Sequence, residues 1–304
     1  MRPARTTQAG PSRRTRPQTA ATALADTVGF VLVHVACAAV LVVGVSIQAV
    51  VIAVVTYALR CFGVAAGFHR YFSHRSFRAG RAVQFSLALL GTLALQKGVL
   101  WWASTHRRHH AVADTSADVH SPHHRSFLYS HCGWFVDPAN QGVDEHRVRD
   151  LMQFPELVWL DRWRAVPIAA FAAGLWALGS TVFVWAFCLS TVALWHATLS
   201  TGSFSHRVGG YRNFDTSDDS RNNRVIAAIL LGEGWHNNHH HRPRAANHST
   251  RRTEPDPIYA GLRLLERLRL VSDLHQPPVR AAQHPTERTD PARSPRMQPA
   301  AARR

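Results

Sequence analysis

The chain has 304 residues, of which 46% are hydrophobic, and a formal net charge of +16 at pH 7. A soluble protein with this charge would be a candidate for nucleic-acid binding, but the arginines avoid the two presumed turns between paired apolar helices. Basic residues of membrane proteins collect on the cytoplasmic side. The charge therefore favours contact with anionic membrane lipid and argues against nucleic acid as a partner.

Apolar blocks follow a basic N-terminal tail, residues 1–22, which we expect to be disordered. A membrane-spanning helix needs about 20 apolar residues. The blocks at 24–46 and 49–68 meet that length and are separated by a short turn near Gly44. A later apolar stretch is long enough for two spans of about 18 residues each. We predict these spans at 163–179 and 181–200.

Two shorter apolar segments lie outside the predicted hairpins. Residues 83–95 are apolar over a length that is typical of an interfacial or buried helix. Residues 258–270 alternate apolar and charged side chains at helical spacing, which predicts an amphipathic helix on the cytoplasmic side. The predicted domain covers 23–274, and 275–304 is expected to be a second disordered tail. The predicted fold class is all-α: an integral membrane protein with four transmembrane helices in two hairpins and a cytoplasmic helical cap.

Three histidine clusters lie beside the apolar blocks. At about 100° per residue, the three histidines of the second cluster share one helix face, and so do those of the third. The first two histidines are about 140° apart on a regular helix, so the second span has to end or bend between them. The clusters are HRYFSH with His69 and His74, HRRHH with His106, His109 and His110, and HNNHH with His236, His239 and His240.

The number of histidines predicts a two-metal centre. Two hairpins make an even number of crossings, so all three clusters and both termini are expected on the cytoplasmic face. Eight imidazoles are too many for one tetrahedral zinc ion and suit two ions that share a site. Imidazole binds iron, zinc, copper and nickel, so spacing alone does not identify the metal.

The order of the motifs resembles a known family. HRYFSH, LQKGVLWWASTHRRHH and GEGWHNNHHH are similar to the three histidine boxes of the membrane-bound fatty acid desaturases, in particular the Δ9 acyl-CoA (stearoyl-CoA desaturase-like) branch and its bacterial relatives. The resemblance covers about residues 56–274, including the flanking stretches 114–134 and 203–223. It implies two iron ions held by nine histidines, the ninth being His206.

The resemblance also implies the chemistry. A cis double bond, at Δ9 in this branch, is inserted into a saturated acyl chain with O2 as co-substrate and two electrons, and no catalytic residue is implied beyond the metal ligands. The electrons would come from a separate ferredoxin, rubredoxin or cytochrome b5-like protein with its reductase. The expected location is a bacterial inner membrane.

Substrate residues follow from the same resemblance, with two departures. Trp102 and Thr198 match positions that line the substrate slot, although Trp102 also fits an interfacial aromatic. Arg125 matches a basic position near the head group. The family has asparagine where this chain has Gly202, and an arginine that helps to hold the CoA phosphates where this chain has Ser104. Acyl-CoA is the first substrate expectation and acyl-lipid the second.

The remaining histidines receive other roles. His34 and His196 lie in apolar spans and are expected to hydrogen-bond to a neighbouring helix, whereas His120 and His131 are expected to support the site by hydrogen bonding. Glu233 forms a Glu-x-x-His pair with His236, but soluble di-iron bundles need two such pairs, so it is not expected to bind metal.

Two rival functions remain open from the sequence. A hydroxylase or other oxygenase could use the same histidine boxes, because hydrogen abstraction is common to both reactions. A non-enzymatic metal carrier predicts ligands within the bilayer core, whereas the histidines follow or flank the ends of the spans.

Overall fold

The computed structural model describes residues 15–16 and 20–276. Most of both predicted tails therefore lies outside the described residues. Within the predicted N-terminal tail, Thr15–Arg16 forms a short strand and the first helix begins at Ala20. The described part of the chain is mainly helical, as the all-α prediction requires.

The first half of the described chain carries two long apolar helices followed by the first two histidine clusters. In chain order its elements are β1 Thr15–Arg16, α1 Ala20–Ala36, α2 Val40–Val43, α3 Ile47–Phe62, a π-helical segment Gly63–Ser73, β2 Arg78–Ala79, α4 Arg81–Thr92 and α5 Val99–Val112.

The second half carries a third long apolar helical stretch, followed by the helix with the third histidine cluster. Its elements are a π-helical turn Tyr129–Gly133, α6 Trp134–Val136, β3 Val143–Asp144, α7 Arg149–Met152, α8 Pro155–Arg162, α9 Ala165–Ala177, α10 Ser180–Val182, a π-helical segment Phe183–Leu189, α11 Ser190–Ser203, α12 Arg224–Ile229, α13 His236–His241, α14 Pro257–Arg267 and β4 Val271–Ser272.

Three helical stretches of the described chain are long and apolar enough to cross a membrane: Thr22–Val43, Ile47–Ser73 and Ser180–Ser203. They contain nearly all of the predicted spans 24–46, 49–68 and 181–200. The predicted span 163–179 corresponds to α9, which has 13 residues. At 1.5 Å per residue this helix is about 20 Å long, shorter than the roughly 30 Å hydrocarbon core. The fourth crossing therefore stays a prediction.

Two short antiparallel ladders tie distant parts of the chain together. β1 pairs with β3, and β2 pairs with β4 in the register Arg78 to Ser272 and Ala79 to Val271. The second ladder anchors the end of the described chain beside the first histidine cluster. The amphipathic helix predicted at 258–270 is confirmed as α14, which buries Ile258 and Leu262.

The apolar core lies where α4, α5 and α8 pack around the π-helical segment Gly63–Ser73. The segment predicted at 83–95 as interfacial or buried is α4, with Leu87 and Ala88 buried. Two glycines of the π-helical segment let the backbones approach closely. A Cβ atom added to Gly63 would lie 2.4 Å from backbone atoms of Leu90 and Gly91.

Polar side chains inside the apolar layer bond from helix to helix. Arg60 is buried, and its guanidinium donates to Ser190 Oγ at 2.6 Å and Thr191 Oγ1 at 2.5 Å. Because an unpaired charge in hydrocarbon is costly, these hydroxyls allow an arginine within the second candidate span. They also fix the second candidate span against the third.

A chain of three histidines makes a second polar connection. His34 Nδ1 donates to the carbonyl of Phe30 at 2.7 Å, and its Nε2 lies 3.0 Å from His196 Nε2. His196 Nδ1 lies 2.9 Å from His131 Nε2, and His131 Nδ1 lies 2.9 Å from Ser203 Oγ. The expectation that His34 and His196 hydrogen-bond to a neighbouring helix is confirmed. His131, in the turn Tyr129–Gly133, extends this row of histidines to Ser203 at the end of α11.

We predict that Gly63→Ala destabilises the fold and that Gly174→Ala does not. The new methyl group at 63 has to displace main-chain atoms, and overpacking of this kind costs about 1–3 kcal/mol or more. Gly174 lies in α9 with no atom within 4 Å of an added Cβ, so alanine there should raise helix stability by up to about 1 kcal/mol. Thermal unfolding in detergent, followed by size-exclusion chromatography, measures both. Equal unfolding temperatures for wild type and Gly63→Ala would contradict the packing argument.

Candidate metal centre

The nine predicted histidines gather in two groups. Within each group the ring nitrogens that could bind metal all lie within 4.8 Å of one another. The five-histidine group is His69, His74, His106, His110 and His239, and the four-histidine group is His109, His206, His236 and His240.

The first cluster converges because the second candidate span ends in π-helical winding. In a π-helix the hydrogen bonds join residues five apart, so such residues lie one above the other. His69 and His74 are five apart, and the amide of His74 donates to the carbonyl of His69 at 3.2 Å. The sequence predicted an end or a bend between them, and the helix does end there, at Ser73. The π-helical winding also widens the helix before that end, and the ring centroids of His69 and His74 lie 5.0 Å apart.

The second and third clusters divide their histidines between the two groups. On α5, His106 and His110 belong to the five-histidine group, whereas His109 belongs to the other. On α13 the assignment is reversed. His236 and His240, four residues apart, belong to the four-histidine group, and His239 belongs to the five-histidine group. Each helix therefore supplies an i, i+4 pair to one group and a single ring to the other.

The spacing of the ring nitrogens fits metal ligands. Nitrogens bound about 2 Å from a shared ion lie about 3 Å apart when they occupy neighbouring positions. Four Nε2 to Nε2 distances have this value: 3.0 Å for His69 and His239, 2.8 Å for His74 and His106, 2.9 Å for His110 and His239, and 3.0 Å for His206 and His236.

Carboxylates fix which nitrogen faces the centre. His206 Nδ1 donates to Asp114 at 2.7 Å and His240 Nδ1 donates to Asp218 at 2.9 Å. His109 Nδ1 donates to Asp118 at 3.0 Å. With the proton on Nδ1, each neutral ring turns the lone pair of Nε2 towards the other ligands.

Ring nitrogens without hydrogen-bond partners also indicate that Nε2 is the metal-binding atom. Among the described residues, Nε2 of His109 and of His240 is buried without a hydrogen-bond partner. Buried polar atoms without partners are costly, and a cation at the centre of the group would satisfy them. The residues present therefore fit metal ions, and two ions match the two groups.

Burial keeps the imidazoles in the form that binds metal. Burial lowers the pKa of His106 and of His239 well below the usual histidine value, and neighbouring imidazoles lower it further. Metal binding requires the neutral ring. Burial raises the pKa of the Asp218 carboxyl, but the hydrogen bonds from His240 and Ser220 and the charge of His240 together bring this pKa below its usual value, so the carboxyl stays charged.

Glu233 supports the five-histidine group from behind. One carboxylate oxygen contacts His69 Nδ1, and the other accepts from the buried Arg70 at 2.6 Å. Arg70 also donates to Asp256 at 3.0 Å. The prediction that Glu233 does not bind metal stays untested. The sequence gave no indication that Glu233 contacts the ring of His69. His248, unassigned from the sequence, is also buried here, 4.7 Å from the ring of His239.

A cavity adjoins both groups. Its wall includes His106 of the five-histidine group and His109 of the four-histidine group, and it continues between indole and aliphatic side chains. Such a mainly apolar pocket with a few polar groups is typical of a ligand site.

Comparison with known proteins identifies the family. The family profile described as fatty acid desaturase matches residues 45–260. The chain belongs to the fatty acid desaturase family. An sn-2 palmitoyl-lipid 9-desaturase of Nostoc sp. (strain 36) is 36% identical over 228 residues, which cover 73% of this chain and 79% of that protein.

Further relatives carry different substrate names. An sn-1 stearoyl-lipid 9-desaturase of Anabaena variabilis is 34% identical over 214 residues, 70% of this chain and 78% of the relative. An acyl-CoA 5-desaturase of Anemone leveillei is 35% identical over 221 residues, 71% of this chain and 68% of the relative. The present chain is thus a membrane fatty acyl desaturase, similar to bacterial 9-desaturases.

Of the three residues predicted to bind substrate in this desaturase, two line the cavity and Arg125 does not. Trp102 and Thr198 both lie in the cavity wall. Gln96 connects them, because its amide nitrogen donates to Thr198 Oγ1 at 3.0 Å and its oxygen accepts from Trp102 Nε1 at 3.4 Å. The sequence analysis did not assign a role to Gln96, although this residue lies within the quoted motif LQKGVLWWASTHRRHH.

The two head-group positions lie away from this cavity. Arg125 is exposed, and its guanidinium stacks on Tyr129 at 5.5 Å. Ser104 is buried and donates to the carbonyl of Trp101 at 3.0 Å. A head-group role for Arg125 stays a prediction, and Ser104 faces its own helix.

We predict that Asp218→Asn weakens metal binding by about 10-fold or more, because loss of a carboxylate behind a ligand imidazole has this size of effect. The amide keeps the shape of the side chain but removes the charge that orients His240. Chelator titration followed by metal analysis of the purified protein provides the measurement. Asp215→Asn, in the same loop but exposed on the surface, is the control. Equal metal retention in the two variants would contradict the role of Asp218.

The metal-free desaturase should lose stability as the pH falls below about 6.5. The folded-state pKa values of His74, His106 and His110 lie below the ordinary histidine value. The unfolded chain therefore takes up more protons than the folded chain as the solution becomes acidic, while above that pH both states are neutral. Thermal unfolding of chelated protein between pH 8 and pH 5 measures the effect. A constant or rising unfolding temperature towards pH 5 would show that these rings are not buried neutral.

Proposed function

We propose that this fatty acyl desaturase inserts a cis double bond, at Δ9, into a saturated acyl chain at a histidine-ligated di-iron centre. The observation that supports it best is the convergence of nine histidines into two groups at the wall of an apolar cavity. The overall reaction removes two hydrogens from adjacent carbons, and with O2, two electrons and two protons it releases two water molecules.

The bound irons supply the oxidant, since unactivated methylenes offer nothing for an acid, a base or a nucleophile to attack. The chain's own residues provide position and exclusion of water. Nine histidines hold the ions, while Asp114, Asp118 and Asp218 orient three of the rings. Trp102, joined to Thr198 through Gln96, provides a fixed wall beside His106 against which an acyl chain can lie.

We propose acyl-lipid as the first substrate form and acyl-CoA as the second. The sequence resemblance put acyl-CoA first, but Ser104 is a buried residue that faces its own helix and offers no charge to a CoA phosphate. Two of the relatives with the best matches are named acyl-lipid 9-desaturases. A lipid-bound chain can enter from the bilayer without a phosphate clamp.

We further propose that the site and both termini lie on the cytoplasmic side of a bacterial inner membrane. The basic segments before α1 and after α11 support this orientation. The electron donor is proposed to be a separate ferredoxin, rubredoxin or cytochrome b5-like protein with its reductase.

Expression in a host that lacks desaturase activity tests the function. With a competent electron donor present, we expect new monounsaturated chains with the double bond at carbon 9, located by mass spectrometry. His236→Ala, in the four-histidine group, is the inactive control. A hydroxylated chain instead of an alkene would replace desaturase by hydroxylase. Unchanged lipids despite an iron-loaded protein would refute the proposal.

The substrate form is decided with the same protein in vitro. With O2 and a competent electron donor in both reactions, purified desaturase is supplied with stearoyl-CoA in one reaction and with vesicles of distearoyl phospholipid in the other. We expect faster product formation on the vesicles. Conversion of stearoyl-CoA alone would reverse the order of the two substrate forms.

A further inference from the structure

A tenth imidazole lies beside the four-histidine group. His120 is 9% exposed, and its ring centroid is 4.5 Å from that of His109. It does not belong to the four rings that converge, so it is not needed to complete that group. Its ring also packs against Trp134 at 4.7 Å.

Asp118 holds His109 and His120 at the same time. One carboxylate oxygen accepts from His109 Nδ1 at 3.0 Å, and the other lies 2.9 Å from His120 Nδ1. A neutral imidazole that carries its proton on Nδ1 presents a lone pair on Nε2. With its proton on Nδ1, towards Asp118, His120 keeps the lone pair of Nε2 available to accept a hydrogen bond. Within the described chain, no protein group hydrogen-bonds to its Nε2.

Gly202 provides the space that His120 occupies. A Cβ atom added at residue 202 would lie 2.3 Å from His120 Cδ2 and 2.8 Å from its Nε2. No side chain other than that of glycine is compatible with this ring position. Both residues line the main cavity together with His109. The Nε2 edge of His120 therefore faces Gly202 at the cavity wall, beside the four-histidine group.

We propose that His120 is a positioning residue whose Nε2 accepts a hydrogen bond from a water molecule bound to the metal ion of the four-histidine group, and that Gly202 is required to admit its ring. The inference rests on the proposed function for the identity of the centre. It adds a polar contact on the cavity side, where a ligand of the metal would face the acyl chain.

The contact also assigns a task to Asp118. By holding Nδ1 of His120, this carboxylate keeps the accepting nitrogen turned to the cavity, and by holding His109 it fixes a ligand of the same ion. A single carboxylate thereby sets the distance between a protein ligand and the residue that positions the water. Such support behind the ligands commonly changes activity by about 10–100-fold.

Cobalt-substituted protein gives a readout that does not depend on activity. The visible absorption of Co²⁺ strengthens when a water ligand is lost and the coordination number falls. We expect His120→Phe, which keeps a ring against Trp134, to bind two cobalt ions with stronger absorption. His120→Gln, which keeps an accepting oxygen, should restore the wild-type spectrum in large part. His146→Phe, on an exposed loop, is the control and should leave the spectrum unchanged.

Gly202→Ala tests the coupling between the two residues. Its methyl group would displace the ring, so this variant should reproduce the spectrum of His120→Phe. The double variant should add nothing to either single change, because the two substitutions remove one and the same contact. If Gly202→Ala does not accumulate, the two His120 variants alone decide the matter.

Iron-loaded protein completes the test. We expect His120→Phe to form double bonds about 10-fold more slowly or less, with more O2 consumed per double bond. An unchanged cobalt spectrum in His120→Phe would overturn the proposal. Loss of one cobalt ion would also overturn it, because His120 would then support metal binding itself. If the wild-type protein makes no double bonds but the cobalt spectra behave as expected, the proposed function fails and the role of His120 stands.

Discussion

Nine imidazole lone pairs that face one another are the constraint on which the rest of this structure depends. Ring nitrogens of four histidine pairs lie 2.8–3.0 Å apart, and carboxylates accept from Nδ1 of His109, His206 and His240, which turns the Nε2 lone pairs of these three rings towards the other ligands. Their burial removes the alternative of hydration. The arrangement is therefore a site that fits metal ions, and the surrounding elements hold the rings in place.

Charged residues behind the imidazole rings help to hold these rings in place. Arg70 is fully buried and pairs with two carboxylates, Glu233 and Asp256. Glu233 orients His69, while Asp256 also accepts from the amide of Tyr259 and so caps α14. The guanidinium of Arg70 thereby joins the first histidine cluster, the segment before the third cluster and the C-terminal helix. Because a buried arginine without partners is strongly unfavourable, these three parts of the chain are positioned together.

The same elements that hold the metal also shape the cavity. α5 presents Trp102 and His106 on successive turns, stacked 4.9 Å apart, so the wall of the cavity and a ligand move as one body. α11 brings Thr198 and Gly202 to the opposite wall. In the proposed function, a slot of this kind would place a substrate carbon relative to the metal by the rigidity of two helices. This matches the chemical demand, since hydrogen abstraction depends on where one methylene lies.

The sequence by itself determined the apolar blocks, the three clusters and the family, because hydropathy and motif order are properties of neighbouring residues. It also placed Trp102 and Thr198, through resemblance, at positions that the cavity wall includes. Only the tertiary structure decided how α5 and α13 divide their histidines between two groups and why His69 and His74 converge. It also revealed Gln96, Glu233 and Asp118. The division of the histidines and the contacts of Gln96 and Glu233 involve residues far apart in the chain, and the first cluster depends on π-helical winding, so hydropathy and motif order do not encode them.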